Sequence, residues 1–377
     1  MAGFFFFSCR QPETALPEGC TPVQLRLEDE AVPLLLSRMA DSLRYIPLET
    51  NDSSLIGYPA KLVPMDNGNF LILDADKANA VLMFDAHGRF LRPIGTKGQG
   101  PSEFLQPSDV VYAYGHIYIL DASQKKILKY TAEGSFVETF RLPAYAYYFC
   151  CVAEDVFALG FDFTANPELQ RGGQFPNLLI FNPANVRQDG YLYFDPDISP
   201  SAYVATTNNL CEAHLRIPLN DTIYHVDAQG PAPRYVLRYA AKYLQTKNDY
   251  VERIHSGQLT ADDADRFYNE GNCPQLFNFF SGNDMDLFVV QMKGRLYLHL
   301  YCPATGVSME ASAHGKSPLE NDIDHCPLSL PIAMKGSKLY CLTTPAALQE
   351  ATDTDMDFLE DDNPVLVEVS LKPALDE

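Results

Sequence analysis

Residues 69–91 read NFLILDADKANAVLMFDAHGRFL, and residues 116–137 repeat the same pattern as HIYILDASQKKILKYTAEGSFV. Each copy reads as a strand, a turn containing Asp, a second strand, a turn containing Gly and a third strand. A repeat of about 45 residues built from short strands is typical of a β-propeller blade. The pair therefore predicts an all-β propeller in which these segments belong to the first two blades.

The same pattern continues through most of the chain. Thr222–Gly230 echoes Val81–Gly88, which extends the repeat well beyond the opening pair. Six blades are predicted, at Ala60–Gly95, Ser108–Pro143, Tyr148–Phe194, Tyr203–Tyr239, Phe277–Ala311 and Leu328–Leu371.

Two further features complete the predicted ring. The sixth blade supplies only three strands, and an apolar run at Leu43–Leu48 precedes the first blade. We therefore expect this N-terminal strand to be the fourth strand of blade 6, which removes the open edge. Residues 240–272 break the strand pattern with helical spacing and a capping box, and they predict a short helical insertion.

Length and composition fit this architecture. Six blades of about 45 residues need roughly 270 of the 377 residues and leave about 100 for an N-terminal segment, an insertion and a tail. We expect a tether or signal segment at residues 1–22 and one propeller domain at residues 23–377. A hydrophobic content of 46%, with 23 Phe and 21 Tyr, excludes a disordered chain.

The charge balance excludes one class of partner. The chain has 28 basic and 49 acidic residues and a net charge of −21, so its surface repels phosphate backbones. Nucleic acid and anionic membrane surfaces are thus poor partners, whereas glycans, peptides and other proteins stay open.

The N-terminus carries a possible anchor. Phe4–Phe7 is a short apolar run followed by Ser8 and Cys9, which looks like the end of a bacterial lipoprotein signal peptide. Lipidation at Cys9 would make this anchor the chain's only attachment to a membrane, on the periplasmic side or at the cell surface. The nine cysteines include no C-x-x-C pair, and most are expected to be buried thiols.

Three stretches of the sequence resemble a known family. Ile46-Pro-Leu-Glu-Thr50, Gly95-Thr-Lys-Gly-Gln-Gly-Pro-Ser-Glu-Phe104 and Pro107-Ser-Asp-Val110 resemble sequences of the six-bladed β-propeller lipoproteins of Bacteroidetes, relatives of NHL-repeat proteins. The resemblance spans roughly Leu43 to Leu371 and is strongest between Ile46 and Pro143. It implies an exported, lipid-anchored propeller in the cell envelope and little about chemistry.

The loop Gly95–Phe104 is the best-marked candidate site. Lys97, Gln99 and Glu103 could present polar groups to a ligand at one mouth of the ring. The loop does not match a phosphate-binding loop, because no Gly-Lys-Ser/Thr follows at the required spacing. The alternative is that its Gly, Pro and Phe residues serve the packing between blades.

A metal site is the second candidate. No His-Glu-x-x-His or His-x-His grouping occurs, yet His214, His299 and His325 lie in the later half of the ring and could meet at its centre around Ca²⁺ or Zn²⁺. The acidic segment Asp353–Asp362 could hold a hard cation, or it is a solvated loop. Three recurrent aspartates are expected to bind turn amides instead: Asp74, Asp121 and Asp227.

These observations predict a non-enzymatic, monomeric binding module for a glycan, a peptide or an envelope protein, since function in such scaffolds lies on loops. The alternative is a propeller lyase or hydrolase with a Ca²⁺ or Zn²⁺ ion in the central channel. No catalytic residue is assigned, and no Gly-x-Ser-x-Gly motif occurs.

Overall fold

The structure is a computed structural model of the 377-residue chain. It describes residues 16, 19–28, 30, 32–184, 187–194, 210–211, 213–217, 220–240, 243, 252–253, 256–259, 274–352, 358–359 and 361–373.

Six antiparallel sheets form the six blades of a β-propeller, as predicted. Strands are numbered in chain order, and those of each blade are given from the centre of the ring outward. Blade 1 consists of β4 (Lys61–Pro64), β5 (Phe70–Asp74), β6 (Ala80–Phe84) and β7 (Phe90–Pro93). Blade 2 consists of β10 (Asp109–Ala113), β11 (His116–Asp121), β12 (Lys126–Thr131) and β13 (Phe136–Arg141), and blade 3 of β14 (Tyr148–Ala153), β15 (Val156–Gly160), β16 (Phe175–Asn182) and β17 (Arg187–Phe194).

Blades 4 to 6 follow the same scheme. Blade 4 consists of β18 (Leu210–Cys211), β19 (His214–Arg216), β20 (Thr222–Asp227) and β21 (Gly230–Arg238). Blade 5 consists of β22 (Gln275–Ser281), β23 (Asp286–Met292), β24 (Arg295–Tyr301) and β25 (Ser308–His314). Blade 6 consists of β27 (Ala333–Lys335), β28 (Lys338–Thr343), β29 (Val365–Leu371) and β3 (Ala40–Pro47).

Short elements lie between and around the blades. They are β1 (Thr21–Gln24), β2 (Leu34–Leu35), β8 (Thr96–Lys97), β9 (Glu103–Phe104), β26 (Leu319–Glu320), a 3-10 turn (Pro167–Leu169), and two helices, α1 (Leu36–Met39) and α2 (Pro345–Ala351).

The hydrophobic core lies between blades rather than in one centre. Six clusters of buried side chains each combine residues of two neighbouring blades, and together they connect blade 1 through to blade 6 and back to blade 1. The second strands of blades 1 and 2 are almost wholly buried because both faces of each sheet are covered. This double coverage explains why those strands read as continuous apolar runs rather than as alternating patterns.

The N-terminal strand closes the ring, as predicted. β3 pairs antiparallel with β29, from Pro47 opposite Val365 to Ala40 opposite Leu371. The strand thus supplies the outermost position of blade 6. Its end packs tightly on blade 1: Gly88, at a φ of +81°, leaves no space for a side chain, because a Cβ there would lie 2.0 Å from the Pro47 carbonyl oxygen.

Residues 21–39, here called the N-terminal strap, run along the outer edges of blades 4, 5 and 6. β1 pairs in parallel with β21 of blade 4, and β2 pairs in parallel with β26 ahead of blade 6. Between them the strap is held by blade 5. Six of its apolar side chains are buried: Val23, Leu25, Leu27, Leu34, Leu36 and Met39.

Some details differ from the expectation. Ahead of the predicted closing strand, the apolar run Val23–Leu36 contributes to two short strands and the start of α1. The first strand of blade 6 begins at Ala333 rather than Leu328, and helix α2 was not predicted. Most of the helical insertion predicted at 240–272 and most of the segment at 1–22 lie outside the described residues.

Candidate binding face

The blade topology gives the ring two faces with different loops. Neighbouring strands run antiparallel, so the loops between second and third strands and those between consecutive blades lie at one end of the ring. We call this end the connection face. The loops that join first to second and third to fourth strands lie at the other end, called the hairpin face.

Buried aspartates fix the loops of the connection face. Asp74, at the end of β5, accepts hydrogen bonds from the backbone N–H groups of Gly57 (2.7 Å) and Tyr58 (2.9 Å). Asp121, at the end of β11, accepts one from the Leu105 N–H at 2.7 Å. Burial alone would raise the pKa of Asp74, but backbone N–H donors more than offset it and leave that pKa lowered. These carboxylates have the turn-binding role expected from the sequence.

The third aspartate, Asp227, accepts a bond from the Gln229 N–H at 2.7 Å in a turn of the hairpin face. This contact is also the turn-amide role expected of it.

Exposed apolar side chains are concentrated on the connection face. Among the described residues, five of the eleven large hydrophobic side chains that are exposed lie on its loops: Leu55, Tyr58, Leu105, Tyr147 and Leu359. The hairpin face has one, Tyr114, and the others lie on outer strands, on the strap or, for Ile323, in the segment beside the strap. Soluble proteins seldom collect exposed apolar groups at one end without a partner.

The connection face also carries negative charge, on the blade 6 side. Exposed acidic side chains lie in the loop from blade 6 to blade 1 and from α2 to β29: Glu49, Asp52, Glu350 and Asp361. The aromatic residues Tyr58 and Tyr147 belong to loops that enter blades 1 and 3. The connection face therefore combines exposed apolar side chains with exposed carboxylates.

Several polar groups and the Phe side chain of the loop Gly95–Phe104 make their contacts within the protein. Lys97 and Gln99 are exposed, whereas Glu103 is half-buried and accepts a hydrogen bond from the Gly100 N–H at 2.8 Å. Glu103 therefore holds the loop's own backbone. Phe104 is buried in the cluster between blades 1 and 2.

Blade 2 reaches into the same loop. The buried Lys126 donates to the carbonyl oxygens of Gly100 (3.1 Å) and Glu103. The Thr139 hydroxyl donates to the Pro101 carbonyl at 2.6 Å. These contacts are those expected if the loop serves blade packing.

The three histidines proposed as metal ligands have separate environments. His214, in β19, contacts Arg234 through Nε2, and a guanidinium has only donors, so this nitrogen accepts and does not offer its lone pair to a metal. His299, in β24, lies with Nδ1 3.3 Å from Glu310. His325 is an exposed loop residue.

The histidines are thus not brought together, and the described residues contain no group of three His, Cys, Asp or Glu placed to hold a metal ion. Most of the acidic segment Asp353–Asp362 lies outside the described residues, although Asp362 accepts a bond from the Leu359 N–H at 2.8 Å. Cys9 also lies outside them. No helix in the described part of the chain is long and apolar enough to cross a membrane.

Six cysteines are free thiols. Cys150, Cys302, Cys326 and Cys341 are buried, and Cys20 and Cys151 are half-buried. Burial raises the pKa of Cys150 and that of Cys341 to about 12, so both stay protonated and unreactive at neutral pH.

Sequence reasoning did not single out Tyr58, Leu105 or Tyr147. The available signal was an apolar side chain inside a turn-rich connection, for example Tyr58 between Gly57 and Pro59. An apolar residue in such a loop has no core position to occupy, so its presence there could have identified these three residues as candidates for binding.

Comparison with known proteins places the chain in a family and confirms the fold. The model of a family described as Domain of unknown function (DUF4934) matches residues 22–370. A search of curated proteins finds no match.

Three solved structures are similar. A candidate exported protein from Bacteroides fragilis has a TM-score of 0.71 at 17% identity, covering 93% of this chain and 100% of that chain. A DUF4221 family member from Bacteroides vulgatus scores 0.48 at 9% identity, covering 88% and 97%. AztD from Citrobacter koseri scores 0.40 at 12% identity, covering 89% and 98%. The first similarity supports the fold alone, and the other two carry no argument.

Proposed function

We propose that this chain, which belongs to the DUF4934 family of unknown function, is an exported binding protein that holds a polypeptide partner on its connection face. The observation that carries the proposal is the accumulation of exposed apolar side chains on this face, against a single one on the hairpin face. Aromatic residues supply the largest binding energies in protein interfaces.

The charge of the face selects among the partners predicted from the sequence. Exposed apolar side chains beside carboxylates suit a segment that carries both aromatic or aliphatic and basic side chains, because complementary charge aids both encounter and specificity. A polypeptide offers both kinds of group, whereas a neutral glycan offers no cation. We therefore favour a basic, amphipathic polypeptide over a glycan.

Export and anchoring belong to the same proposal. The Phe4–Phe7, Ser8 and Cys9 signal supports lipidation at Cys9 in the bacterial envelope. The proposed polypeptide partner is then an envelope or extracellular protein. A metal-dependent lyase or hydrolase requires converging ligands, and no described group of side chains favours that alternative.

A matched pair of tyrosines tests the binding face. Tyr58 on the connection face and Tyr114 on the hairpin face are both 54% exposed. Peptides selected from a random displayed library are titrated against purified protein and its variants. Tyr58→Ser combined with Tyr147→Ser should weaken binding at least tenfold, since a buried aromatic anchor contributes about 2 kcal/mol. Tyr114→Ser should leave affinity unchanged.

Two results would contradict the proposal. One is an equal loss of affinity for the Tyr114 variant. The other is binding of neutral oligosaccharides on a glycan array, lost in the Tyr58 and Tyr147 variant, with no peptide bound. Mass spectrometry of the membrane fraction tests the anchor separately, because an unmodified Cys9 would exclude lipidation.

A further inference from the structure

A small cavity opens at the outer part of blade 3, beside the loop that joins its second and third strands. It has a volume of about 80 Å³, and its wall includes Leu169, Arg171, Pro176 and Tyr193. Cofactor and drug-sized sites are usually 300 Å³ or more. The cavity can therefore receive one chemical group of a larger ligand rather than a whole cofactor.

Arg171 gives this cavity a positive charge. Its neighbour Glu168, also at the cavity, is paired with Lys125 at 2.5 Å and so is not available to neutralise the guanidinium. The hydrogen bond from Lys125 lowers the pKa of Glu168, in keeping with this pairing. Within the described part of the chain, the Arg171 side chain has neither an ion pair nor a hydrogen bond. A cation of this kind is notable in a protein of net charge −21.

The backbone around Arg171 is held in a tight hairpin. The Arg171 N–H donates to the Gln174 carbonyl at 2.9 Å, and the Gln174 N–H donates back to the Arg171 carbonyl at 3.1 Å. Gly172 and Gly173 occupy the turn with φ values of +58° and +88°, which other residues adopt with difficulty. The loop therefore presents Arg171 from a preformed turn.

Tyr193 adds a hydroxyl to the same wall, and Gly190 provides the space for it. A Cβ at Gly190 would lie 2.6 Å from the Tyr193 hydroxyl oxygen and 3.1 Å from Cβ of Pro176. Glycine at this position thus lets the tyrosine lie close over the strand. Arg171 and Tyr193, whose side chains carry hydrogen-bond donors, line the cavity together with Leu169 and Pro176.

We infer that this cavity binds the C-terminal carboxylate of the polypeptide partner, an inference that rests on the proposed function above. A guanidinium binds a carboxylate through two parallel N–H···O bonds, the strongest pairing available to either group. The carboxylate of an acidic sugar shares this chemistry, and the test below distinguishes the two sources.

The cavity is linked to the proposed binding face. Asn166, which immediately precedes the 3-10 turn of this loop, exchanges two hydrogen bonds of 3.1 Å with the backbone of Tyr145. Tyr145 and Tyr147 contact each other edge to face, with ring centroids 5.1 Å apart. A chain that lies over Tyr147 on the connection face therefore has the cavity close to its end.

The test compares each selected peptide with a free C-terminal carboxylate and with a C-terminal amide. The free form should bind wild-type protein at least tenfold more tightly, since a hydrogen bond to a charged group contributes about 1.5–3 kcal/mol. Arg171→Gln should reduce the affinity of the free form to that of the amide and leave the amide's affinity unchanged. Arg171→Lys should fall between, because lysine keeps the charge and loses the two-point geometry.

A second arginine provides the control. Arg89 is exposed on the hairpin face, and Arg89→Gln makes the same charge change away from the cavity. It should leave both peptide forms unaffected. Thermal melting of every variant checks that the fold is intact.

The outcomes separate the two proposals. If no peptide binds through Tyr58 and Tyr147, the proposed function fails. If peptides bind there but amidation and Arg171→Gln change nothing, only the carboxylate site is overturned. An equal loss of both peptide forms in the Arg171 variant also overturns it, and so does competition by oligogalacturonate that depends on Arg171, which would assign the cavity to an acidic sugar.

Discussion

Blades 1 to 3 and blades 4 to 6 are held together in different ways. In the first half, Lys61 of blade 1 pairs with Asp109 of blade 2 at 2.7 Å, and Asp109 accepts a bond from the Phe149 N–H of blade 3 at 3.1 Å. These contacts join residues 48 and 40 positions apart. In the second half, the strap contact between Arg26 and Glu310 joins residues 284 positions apart.

The two halves of the ring therefore differ in how far apart in sequence their stabilising contacts lie. Blades 1 to 3 are joined by side chains that the neighbouring repeat supplies, so their joints form from nearby sequence. Blades 4 and 5 also have a joint of this kind, because Arg234 of blade 4 pairs with the buried Asp286 of blade 5 at 2.9 Å. In addition, blades 4 to 6 are covered by a segment from the opposite end of the chain, whose attachment requires the ring to be nearly complete. We therefore expect changes at the inner joint to affect the stability of the whole ring, and changes at the strap to affect mainly the outer rim.

The largest effect is expected from Asp109→Ala. The substitution leaves the buried Lys61 ammonium without this partner and removes an acceptor from the Phe149 N–H. Removing one partner of a buried ion pair lowers the free energy of unfolding by about 3–5 kcal/mol. Urea unfolding followed by circular dichroism should show this loss in the free energy of unfolding.

Glu138→Ala, on the exposed outer strand of blade 2, is the control and should change stability by less than about 0.5 kcal/mol. A loss below about 1 kcal/mol for the Asp109 variant would show that the inner joint is not what holds blades 1 to 3 together.

A smaller effect is expected from Glu310→Ala. Glu310 accepts hydrogen bonds from the backbone N–H groups of Arg26 (3.0 Å) and Leu27 (2.6 Å), which are charge-assisted. Their loss should lower the opening free energy of the strap by about 2 kcal/mol. Hydrogen exchange should increase at Arg26 and Leu27 and stay unchanged in β11 of blade 2.

An equal increase in both places would mean that the strap and the blades open together. In that case the contrast between the two halves of the ring is wrong.

The strap should also loosen in acid. Burial would raise the pKa of Glu310, but bonds from His299, Arg26 and Leu27 more than offset it, so the folded pKa lies below the ordinary value of about 4.3. The stabilisation is therefore complete above about pH 4.3 and is lost as the pH falls through the folded pKa. Pepsin cleavage within residues 21–39 should accelerate over that range.

In Glu310→Gln protein this acid-dependent acceleration should be absent, because the side chain no longer titrates. An unchanged pH profile in that variant would assign the loosening to other carboxylates.

The smallest effects are expected in the loop Gly95–Phe104. Lys97→Ala and Gln99→Ala change exposed side chains and should alter stability by less than about 0.5 kcal/mol. Glu103→Ala removes the acceptor of the Gly100 N–H and should cost about 1 kcal/mol. Peptide affinity measured on the same variants distinguishes the two interpretations of the loop, because a ligand-binding role requires Lys97→Ala or Gln99→Ala to weaken binding.

Sequence reasoning recovered the ring because its signal is local. The strand periods, the Gly turns and the repeat between residues 69 and 137 all act within one blade, and the three-strand sixth blade identified β3 as the closing strand. The strap could not be predicted in the same way. Its apolar run Val23–Leu36 indicates burial, but nothing in it specifies that the partners are β21 and β26, more than 200 residues away in sequence.

The candidate site was less predictable than the fold for a related reason. Lys97 and Gln99 stood out because they lie in a distinctive loop, yet that loop's most specific residues pack between blades. Arg171 lies in an ordinary Gly-containing loop, and its importance depends on Glu168 pairing with Lys125 instead. Whether Glu168 pairs with Lys125 or with Arg171 is decided by three-dimensional packing and leaves no pattern in the sequence.

The parallel direction of β1 has a consequence for how the protein stands on a membrane. β21 begins at the hairpin face and ends at the connection face, so β1, which runs alongside it, receives the chain from the hairpin-face side. Cys9 precedes Thr21 by twelve residues, at most about 43 Å of extended chain. With the lipid that we propose at Cys9, the tether would join the propeller from the side opposite to the loops that carry Tyr58 and Tyr147.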